Sequence, residues 1–292
     1  MASFHSGFVA VIGRPNVGKS SFLNRVLKEK LSIVSPKAQT TRNRILGIHN
    51  SPESQIVFLD TPGIHTPHKE LNRTMVEKAL ACLNDADLVL VMADVMQSLA
   101  EFSTIVEYLR QAGKPAVLAL NKIDLIPESA IPSKLDEHLH GYPFLSGMGI
   151  SCATGAGIDS LMSLISEQLP IGPRFFPEEQ ITDLSERFLA AEIIREKVFN
   201  LTQQEIPYAV AVEIEQFKEG DPTHINAVIH VERPGQKAIV IGKKGAMLKE
   251  IGTQARLDIQ RLIGATVYLE LFVRVTKDWT KNPHELKRLG YS

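Results

Sequence analysis

The segment GRPNVGKS, residues 13–20, has the residue types and spacing of a phosphate-binding loop. It matches G-x-x-x-x-G-K-[ST] and lies between an apolar run that predicts a strand and a stretch that predicts a helix. Backbone N–H groups and the helix N-terminus of such a loop surround the β-phosphate. Lys19 reaches the β- and γ-phosphates, and the Ser20 hydroxyl is a ligand for Mg²⁺. The predicted nucleotide contacts are Gly13, Arg14, Pro15, Asn16, Val17, Gly18, Lys19, Ser20 and Ser21.

The segment NKID, residues 121–124, favours guanine over adenine. The Asp124 carboxylate matches guanine N1–H and its exocyclic amino group, whereas adenine presents an acceptor at N1 and would leave the carboxylate unpaired. Asn121 can donate to the acceptor edge of guanine, and the Lys122 stem can pack over the ring. A later segment, SCATGAG, could offer backbone N–H groups to guanine O6, although it is the least specific of these elements. Its predicted contacts are Ser151, Cys152 and Ala153.

The segment DTPG, residues 60–63, follows a further apolar run and suits a D-x-x-G element. In that interpretation Asp60 steadies Mg²⁺ through water and the Gly63 N–H senses the γ-phosphate, with Thr61 and Pro62 between them. The polar segment KAQTTRNR precedes it and has no periodicity. A threonine there could complete the metal shell only when the γ-phosphate is present, which would make the segment an order–disorder switch. The predicted metal set is Ser20, Asp60 and Thr41, with Thr40 left open in place of Thr41.

These motifs need a scaffold, and the first part of the chain predicts one. Between Phe8 and Leu169, short and nearly continuous apolar runs alternate with amphipathic stretches. That alternation predicts an α/β domain, a doubly wound and mostly parallel sheet covered on both faces. The segment PIGPRFFP then interrupts the pattern with three prolines. We therefore expect a first domain over residues 1–170 and a linker over 171–180.

The second part of the chain has a different order of elements. A helix, two adjacent strands, two helices and a final strand are predicted, in the order α-β-β-α-α-β, over residues 181–292. This is a small α+β domain. In its middle, VIGKKGAMLKEIG places Lys243 and Lys244 between Gly242 and Gly245. Basic residues accumulate from Arg233 onward, which can create a surface for polyanions although the whole chain has a net charge of −1.

The composition narrows the class of protein. The 292 residues are 44% hydrophobic and 22% charged, as in globular proteins, and no run is long enough to cross a membrane. The N-terminus does not have the pattern of a signal peptide. Cys82 and Cys152 are far apart and lack metal-ligand spacing, which fits a reducing compartment and argues against a disulfide scaffold or a zinc site.

The five nucleotide motifs, in this order, resemble those of the GTPase superfamily. Four segments have sequences similar to those of the Era family: GRPNVGKSSFLN, SPKAQTTRNRILGI, DTPGIHTP and NKID. The similarity continues through ITDLSERFLAAEIIREKVF and VERPGQKAIVIGKKGAMLKEIG. The resemblance implies a GTPase domain followed by a KH domain of type II. It implies GTP or GDP with Mg²⁺ as ligands, and maturation of the small ribosomal subunit through its RNA near the 3′ end. It also implies a cytoplasmic protein, partly peripheral on the inner membrane; we expect a monomer.

Ile64 follows Gly63 where many GTPases have a glutamine that orients water. Isoleucine cannot do so, and we expect slow intrinsic hydrolysis, assisted from elsewhere by a factor of roughly 10³–10⁵. Related GTPases use an asparagine such as Asn16 to hold K⁺ beside the phosphates; the alternative is that Asn16 only shapes the loop. No paired-carboxylate or Ser/His/Asp arrangement is present, so catalysis is expected to depend on positioning and electrostatics. The predicted catalytic residues are Lys19, Thr41, Gly63 and Asn16.

The G-x-x-G loop of a KH domain clamps a few single-stranded nucleotides. We predict that its lysines neutralise phosphates, that neighbouring isoleucines line a groove for unstacked bases, and that further basic residues extend the path. The predicted RNA contacts are Lys237, Ile239, Ile241, Gly242, Lys243, Lys244, Gly245, Lys249 and Arg256. Trp279 could stack on a base or, alternatively, pack within its own domain.

Two other functional classes stay open at this stage. A P-loop kinase or ATPase with a small-molecule acceptor would keep the phosphate loop, but NKID argues against it. A switch whose second domain docks on a membrane or a protein would keep the first domain and replace RNA as the partner.

Overall fold

The computed structural model describes residues 3–35, 37, 40–64, 70–202 and 206–291. Part of the KAQTTRNR segment, namely Ala38 and Gln39, and the HTP of DTPGIHTP lie outside the described residues. The chain divides into two compact units, and the division falls chiefly between Asp183 and Leu184. Within the described ranges, no helix has the length and apolar character required to cross a membrane.

The first unit is built on a mixed sheet that, in the described part of the chain, has the strand order β2-β3-β1-β4-β5-β6. All its pairings are parallel except β2 with β3. This confirms the predicted mostly parallel α/β fold. The strands are β1 (His5–Ile12), β2 (Ile45–Asn50), β3 (Ser54–Asp60), β4 (Leu88–Asp94), β5 (Ala116–Asn121) and β6 (Ser146–Gly149). The helices are α1 (Lys19–Leu27), α2 (Glu70–Asp85), α3 (Leu99–Ala112), α4 (Ile131–Leu139) and α5 (Ile158–Gln168).

The strand order brings the nucleotide motifs together. Strand β1 lies between β3 and β4, and its buried residues allow both faces to be covered by helices. Val11 near the end of β1 is in register with Asp60 at the end of β3, and Asp94 of β4 is in register with Asn121 of β5. Because ligands of such sheets bind beyond the carboxyl ends of the strands, this register places four motif segments at one edge.

The connecting segment, residues 171–183, runs along the outer edge of β2. The Ile48 N–H donates to the Ile181 carbonyl at 2.8 Å, and the Thr182 hydroxyl donates to the Leu46 carbonyl at 2.6 Å. The fully buried Gln55 side chain accepts from the N–H groups of Phe175 and Phe176 and donates to the Phe176 carbonyl. The segment interpreted as a linker therefore packs against the first unit.

The second unit has the predicted order α-β-β-α-α-β, which confirms the α+β expectation, followed by a further short helix. Strand β8 is central, antiparallel to β7 and parallel to β9. One apolar core joins this sheet to the helices that cover it. The elements are α6 (Glu186–Leu201), β7 (Ala211–Lys218), β8 (Thr223–Val231), α7 (Pro234–Ile241), α8 (Ala246–Ile263), β9 (Val267–Val275) and α9 (Pro283–Arg288).

Candidate nucleotide and nucleic-acid sites

Lys19 is the first residue of α1 and is almost completely buried. Its Nζ donates to the carbonyls of Gly13 at 3.2 Å and Arg14 at 2.9 Å, within the phosphate loop itself. Burial lowers the pKa of Lys19 from 10.5 to about 8, and the nearby Asp60 carboxylate opposes that decrease. The loop thus holds a buried cation among carbonyl oxygens, as a phosphate-binding site requires.

Side chains from three separate segments meet at Asp60. Its Oδ2 accepts from the hydroxyls of Ser20 at 3.2 Å and Ser32 at 3.1 Å, and Ser20 Oγ lies 2.9 Å from Thr41 Oγ1. Thr41 is buried, whereas Thr40 is partly exposed. The hydroxyl that accompanies Ser20 is therefore that of Thr41.

The other oxygen of Asp60 suits a cation. Among the described residues, Asp60 Oδ1 has no hydrogen-bond partner although the side chain is completely buried. Burial raises the pKa of Asp60, and Lys19 and the surrounding hydroxyls oppose that increase. A buried carboxylate oxygen beside two hydroxyls has the hard oxygen chemistry that Mg²⁺ prefers. The residues Ser20, Thr41 and Asp60 therefore fit the predicted magnesium site.

The DTPG turn lies directly against the phosphate loop. A Cβ on Gly63 would stand 2.7 Å from the Pro15 backbone N, so only glycine allows this approach. The Thr61 hydroxyl donates to the Val11 carbonyl at 2.8 Å, which fastens the start of the turn to β1. The Ile64 N–H donates to the Gly13 carbonyl at 3.1 Å, and the Ile64 side chain belongs to the buried core. Ile64 is thus a packing residue, which accords with the absence of a water-orienting side chain.

The Asn121 side chain connects two loops and so acts as a brace between them, a role that the sequence did not predict. Its Nδ2 donates to the Val17 carbonyl at 2.8 Å, and its Oδ1 accepts from the Cys152 N–H at 3.0 Å. These bonds join the phosphate loop to the SCATGAG segment. Asn121 is almost fully buried. The arrangement holds the base-side and phosphate-side loops at a fixed separation.

The remaining base-side residues lie around this brace. Asp124 is exposed and accepts from the Ser151 hydroxyl, which orients its carboxylate. Lys122 pairs with Asp94 at the end of β4. Burial raises the pKa of the Cys152 thiol to about 12, so it stays protonated near neutral pH. The thiol lies 3.9 Å from the Gly18 carbonyl of the phosphate loop, and the Cys152 main chain contacts Asn121 and Arg25.

Sequence reasoning missed three contributors to this site. Ser32 binds Asp60, Asp94 binds Lys122, and Arg25 of α1 donates to the carbonyls of Cys152 and Ala153. Asp94 ends an apolar strand, which is a usable signal. Ser32 and Arg25 lie in unremarkable sequence. Asn16, for which a potassium role is predicted, is exposed in the left-handed region at φ 67°.

In the second unit, the G-x-x-G segment forms a tight turn between α7 and α8. Gly242, Lys244 and Gly245 all have positive φ, and the Lys243 and Lys244 side chains are exposed. A groove starts at this turn and runs between α8 and β9. Its lining residues are Gly245, Leu248, Lys249, Gly252, Thr253, Arg256, Leu269 and Leu271.

The groove contains two of the predicted RNA-binding residues, Lys249 and Arg256. Its apolar lining comes from leucines of α8 and β9 and not from Ile239 or Ile241. Ile239 is exposed on α7 and does not line this cavity, and the role of the two isoleucines in RNA binding stays a prediction. Both α7 and α8 pack against β9, and sequence periodicity does not reveal which part of β9 each helix covers.

Trp279 does not contribute to a surface. It is completely buried, its Nε1 donates to the Ala209 carbonyl at 3.0 Å, and its ring stacks on Tyr291 at 5.6 Å between centroids. The base-stacking alternative is therefore wrong, and the second alternative, packing within the domain, is correct.

Comparisons with known proteins assign a different domain family to each of the two units. A family model described as a 50S ribosome-binding GTPase matches residues 8–122, and a KH domain model matches residues 205–280. The GTPase Era of Geobacter metallireducens is 52% identical to this chain, covering 99% of it and 98% of that protein. The chain belongs to the Era family of GTPases.

Other members of the Era family support the assignment over the full length. The GTPase Era of Lacticaseibacillus paracasei is 47% identical and covers 100% of this chain. A crystal structure of Era in complex with MgGDPNP and nucleotides 1506–1542 of 16S ribosomal RNA is 43% identical, with a TM-score of 0.96 and coverage of 99% of each chain. A variant of Aquifex aeolicus Era bound to GDP·AlF4⁻ is 42% identical, with a TM-score of 0.95. Members of the Era family are thus similar to this chain over both of its units.

Proposed function

We propose that this protein is a GTP-hydrolysing switch that binds small-subunit ribosomal RNA near its 3′ end and assists assembly of the small ribosomal subunit. The observation that carries the proposal is the meeting of Lys19, Ser20, Thr41 and Asp60, with one buried carboxylate oxygen left for a cation. The unpartnered oxygen supports a cation site, because a buried carboxylate oxygen without a hydrogen bond is costly.

The roles of the residues follow from their chemistry. Ser20, Thr41 and Asp60 would hold Mg²⁺, which would neutralise charge that develops on the phosphates during transfer. Ser20 and Thr41 offer hydroxyl ligands, and Asp60 orients the metal's water shell. Lys19 stabilises the phosphates, and the Gly63 N–H contacts the γ-phosphate. Catalysis consists of positioning and electrostatic stabilisation, with no covalent intermediate.

Guanine selectivity rests on Asp124, whose exposed carboxylate is oriented by Ser151. Nucleotide competition tests it: GTP and GDP should displace a fluorescent guanine nucleotide at concentrations at which ATP does not. A site built for hydrogen bonds rejects a ligand that lacks them by about 10⁴–10⁵-fold. Equal displacement by ATP would instead support the alternative of a P-loop kinase or ATPase.

The second unit supplies the RNA half of the proposal. Its G-x-x-G turn carries two exposed lysines, and its groove combines leucines with Lys249 and Arg256. One related crystal structure holds nucleotides 1506–1542 of 16S ribosomal RNA. The GTPase family model refers to the 50S subunit, but it covers only residues 8–122. The relatives that match over the full length are therefore the better guide to the partner.

A matched pair of glycines tests the RNA site. Gly245 in the turn and Gly264 after α8 both have positive φ, 78° and 67°, and a Cβ at either would meet nothing within 4 Å. Aspartate tolerates this region of φ comparatively well. Gly245→Asp should weaken binding of a single-stranded RNA from the 16S 3′ end by about tenfold or more, because the new carboxylate repels phosphate. Gly264→Asp should bind as the wild type does.

Unaltered RNA affinity of Gly245→Asp would count against the KH interpretation and favour a partner of another class. Gly242 is a poorer choice for this test, because its Cβ would lie 2.6 Å from that of Met247 and would disturb the fold as well.

We further propose that Asn16 supports hydrolysis by holding K⁺ beside the phosphates, with Ile64 unable to orient water. Support comes from the exposed position of Asn16 in the loop. Replacing KCl by NaCl at constant ionic strength should slow turnover, and an unchanged rate would eliminate the idea.

We also infer a monomeric, cytoplasmic protein with peripheral association at the membrane. Two free cysteines in the described residues suit a reducing compartment. Sedimentation of the purified protein and fractionation of cells test both inferences.

A further inference from the structure

Arg25 connects the phosphate-binding helix to the loop beside the guanine base. It lies on α1, six residues beyond Lys19, and its side chain reaches the SCATGAG segment. Its Nε donates to the Cys152 carbonyl at 2.7 Å, and its Nη2 donates to the Ala153 carbonyl at 2.6 Å. Two donors on one edge of a planar guanidinium thus hold two consecutive carbonyls, a geometry that the single ammonium of lysine cannot reproduce.

The three successive backbone N–H groups of Cys152, Ala153 and Thr154 differ in their hydrogen bonding. The Cys152 N–H is taken by Asn121 Oδ1, and the Thr154 N–H is taken by Ser151 Oγ. Within the part of the chain that the structure describes, the intervening Ala153 N–H makes no hydrogen bond. This loop therefore keeps one backbone donor between two donors that are already satisfied.

The geometry of a peptide bond relates that donor to Arg25. The C=O and N–H of a trans peptide lie in one plane and point in opposite directions. Arg25 holds the Cys152 carbonyl from the side of α1, so the Ala153 N–H of the same peptide is directed away from Arg25. A positive charge at the oxygen also polarises the peptide, and hydrogen bonds in such chains strengthen one another.

The loop leaves space for the guanidinium. Gly155 has φ 96°, and a Cβ there would stand 2.9 Å from Arg25 Nη1. A larger residue at this position would therefore displace the clamp. Two independent observations therefore show that the Arg25 guanidinium fits against this loop: the two carbonyl contacts, and the glycine at position 155.

We propose that Arg25 is a positioning residue for guanine recognition: it orients and polarises the Cys152–Ala153 peptide so that the Ala153 N–H donates to guanine O6. The inference rests on the proposed guanine nucleotide site and adds a specificity-determining group outside its motifs. Arg25 itself does not touch the nucleotide.

The test compares nucleotides that differ at the atom in question. GDP and inosine diphosphate both carry O6, whereas 6-thioguanosine diphosphate keeps N1–H and the amino group but replaces O6 by sulfur, a weaker acceptor. For Arg25→Met we expect Kd to rise about tenfold for GDP and for inosine diphosphate, the effect of a lost charge-assisted contact, but only about twofold for the thio analogue. Arg25→Lys should give an intermediate loss.

Arg110→Met is the matched control. Arg110 is an exposed arginine of α3 whose Nη2 donates to the Gly141 carbonyl at 2.8 Å, so the variant removes a similar contact elsewhere in the unit. It should bind all three nucleotides as the wild type does. Circular dichroism of each variant checks the fold.

Three outcomes would overturn the proposal. Wild-type affinity of Arg25→Met for GDP would show that the clamp has no effect. An equal loss for GDP and the thio analogue would assign Arg25 to general stability or to long-range charge. Full rescue by Arg25→Lys would likewise indicate charge alone. Failure of the wild type to bind GDP would refute the guanine site itself, which is a distinguishable result.

Discussion

The buried ammonium of Lys19 lowers the free energy of unfolding of the nucleotide-free protein. This effect should be measurable as a pH dependence of stability. The pKa of Lys19 is lowered from 10.5 to about 8 because the ammonium is buried in the phosphate loop. Between these values the unfolded chain holds a proton at Lys19 that the folded chain has released. Since stability rises with pH wherever the unfolded state binds more protons, the lysine destabilises the fold fully below pH 8 and ceases to do so above pH 10.5.

The magnitude follows from the shift. A difference of about 2.5 pKa units at roughly 1.36 kcal/mol per unit gives about 3 kcal/mol. The variant Lys19→Met removes the titrating group together with its hydrogen bonds to Gly13 and Arg14, so the titration of Lys19 contributes to the stability of the wild type alone. The difference in unfolding free energy between the wild type and the variant should therefore change by about 3 kcal/mol in favour of the wild type from pH 7 to above pH 10.5.

Urea unfolding of the nucleotide-free protein, followed by far-UV circular dichroism at several pH values, measures this difference. The relevant transition is the one that GDP shifts to higher urea. Lys114→Met provides the comparison, because Lys114 also donates to two carbonyls, those of Asn84 and Ala86, but is only partly buried. A difference for Lys19→Met that does not vary with pH would refute the reasoning.

Three further predictions concern the metal, the DTPG turn and the second unit. Asp60→Asn should raise the Mg²⁺ concentration needed for nucleotide binding by about 10–100-fold, and an unchanged requirement in a magnesium titration would contradict the assigned role. Gly63→Ala should lower kcat for GTP, because the new Cβ would stand 2.7 Å from the Pro15 backbone N and displace the turn; equal kcat values would show that the turn adapts. Trp279→Ala should destabilise the second unit by about 3–5 kcal/mol in thermal unfolding, and lost RNA binding with unchanged stability would show that the buried position is wrong.

The nucleotide site could be predicted largely from sequence because its motifs are local. Each follows an apolar strand, and parallel strands end at the same edge of a sheet. The loop from Gly13 to Ser20, the turn at Asp60 and the base segment at Asn121 therefore had to converge. The choice between Thr40 and Thr41 was not predictable, because adjacent residues in an irregular segment point in unrelated directions and only the contact with Ser20 separates them.

The contacts of Asn121 and the lining of the groove between α8 and β9 could not be predicted, because they depend on how separate segments pack. Asn121 was expected to contact the base, but its bonds to Val17 and Cys152 arise from the packing of two loops. Leu269 and Leu271 of β9 line the groove because β9 lies in register beside β8, a pairing between segments some forty residues apart. Periodicity identifies the apolar face of each element, but not the element that it will face.

The connecting segment has a consequence for any attempt to isolate the first unit. Among the residues that the structure describes, β2 pairs with a strand on one side only, namely β3, and an uncovered strand edge is a template for intermolecular pairing and aggregation. The bonds of Ile181 and Thr182 to β2 occupy part of that edge, and Gln55 relies on Phe175 and Phe176 for its buried amide. A fragment ending at residue 170 should therefore aggregate, whereas one ending at residue 183 should remain monodisperse in light scattering.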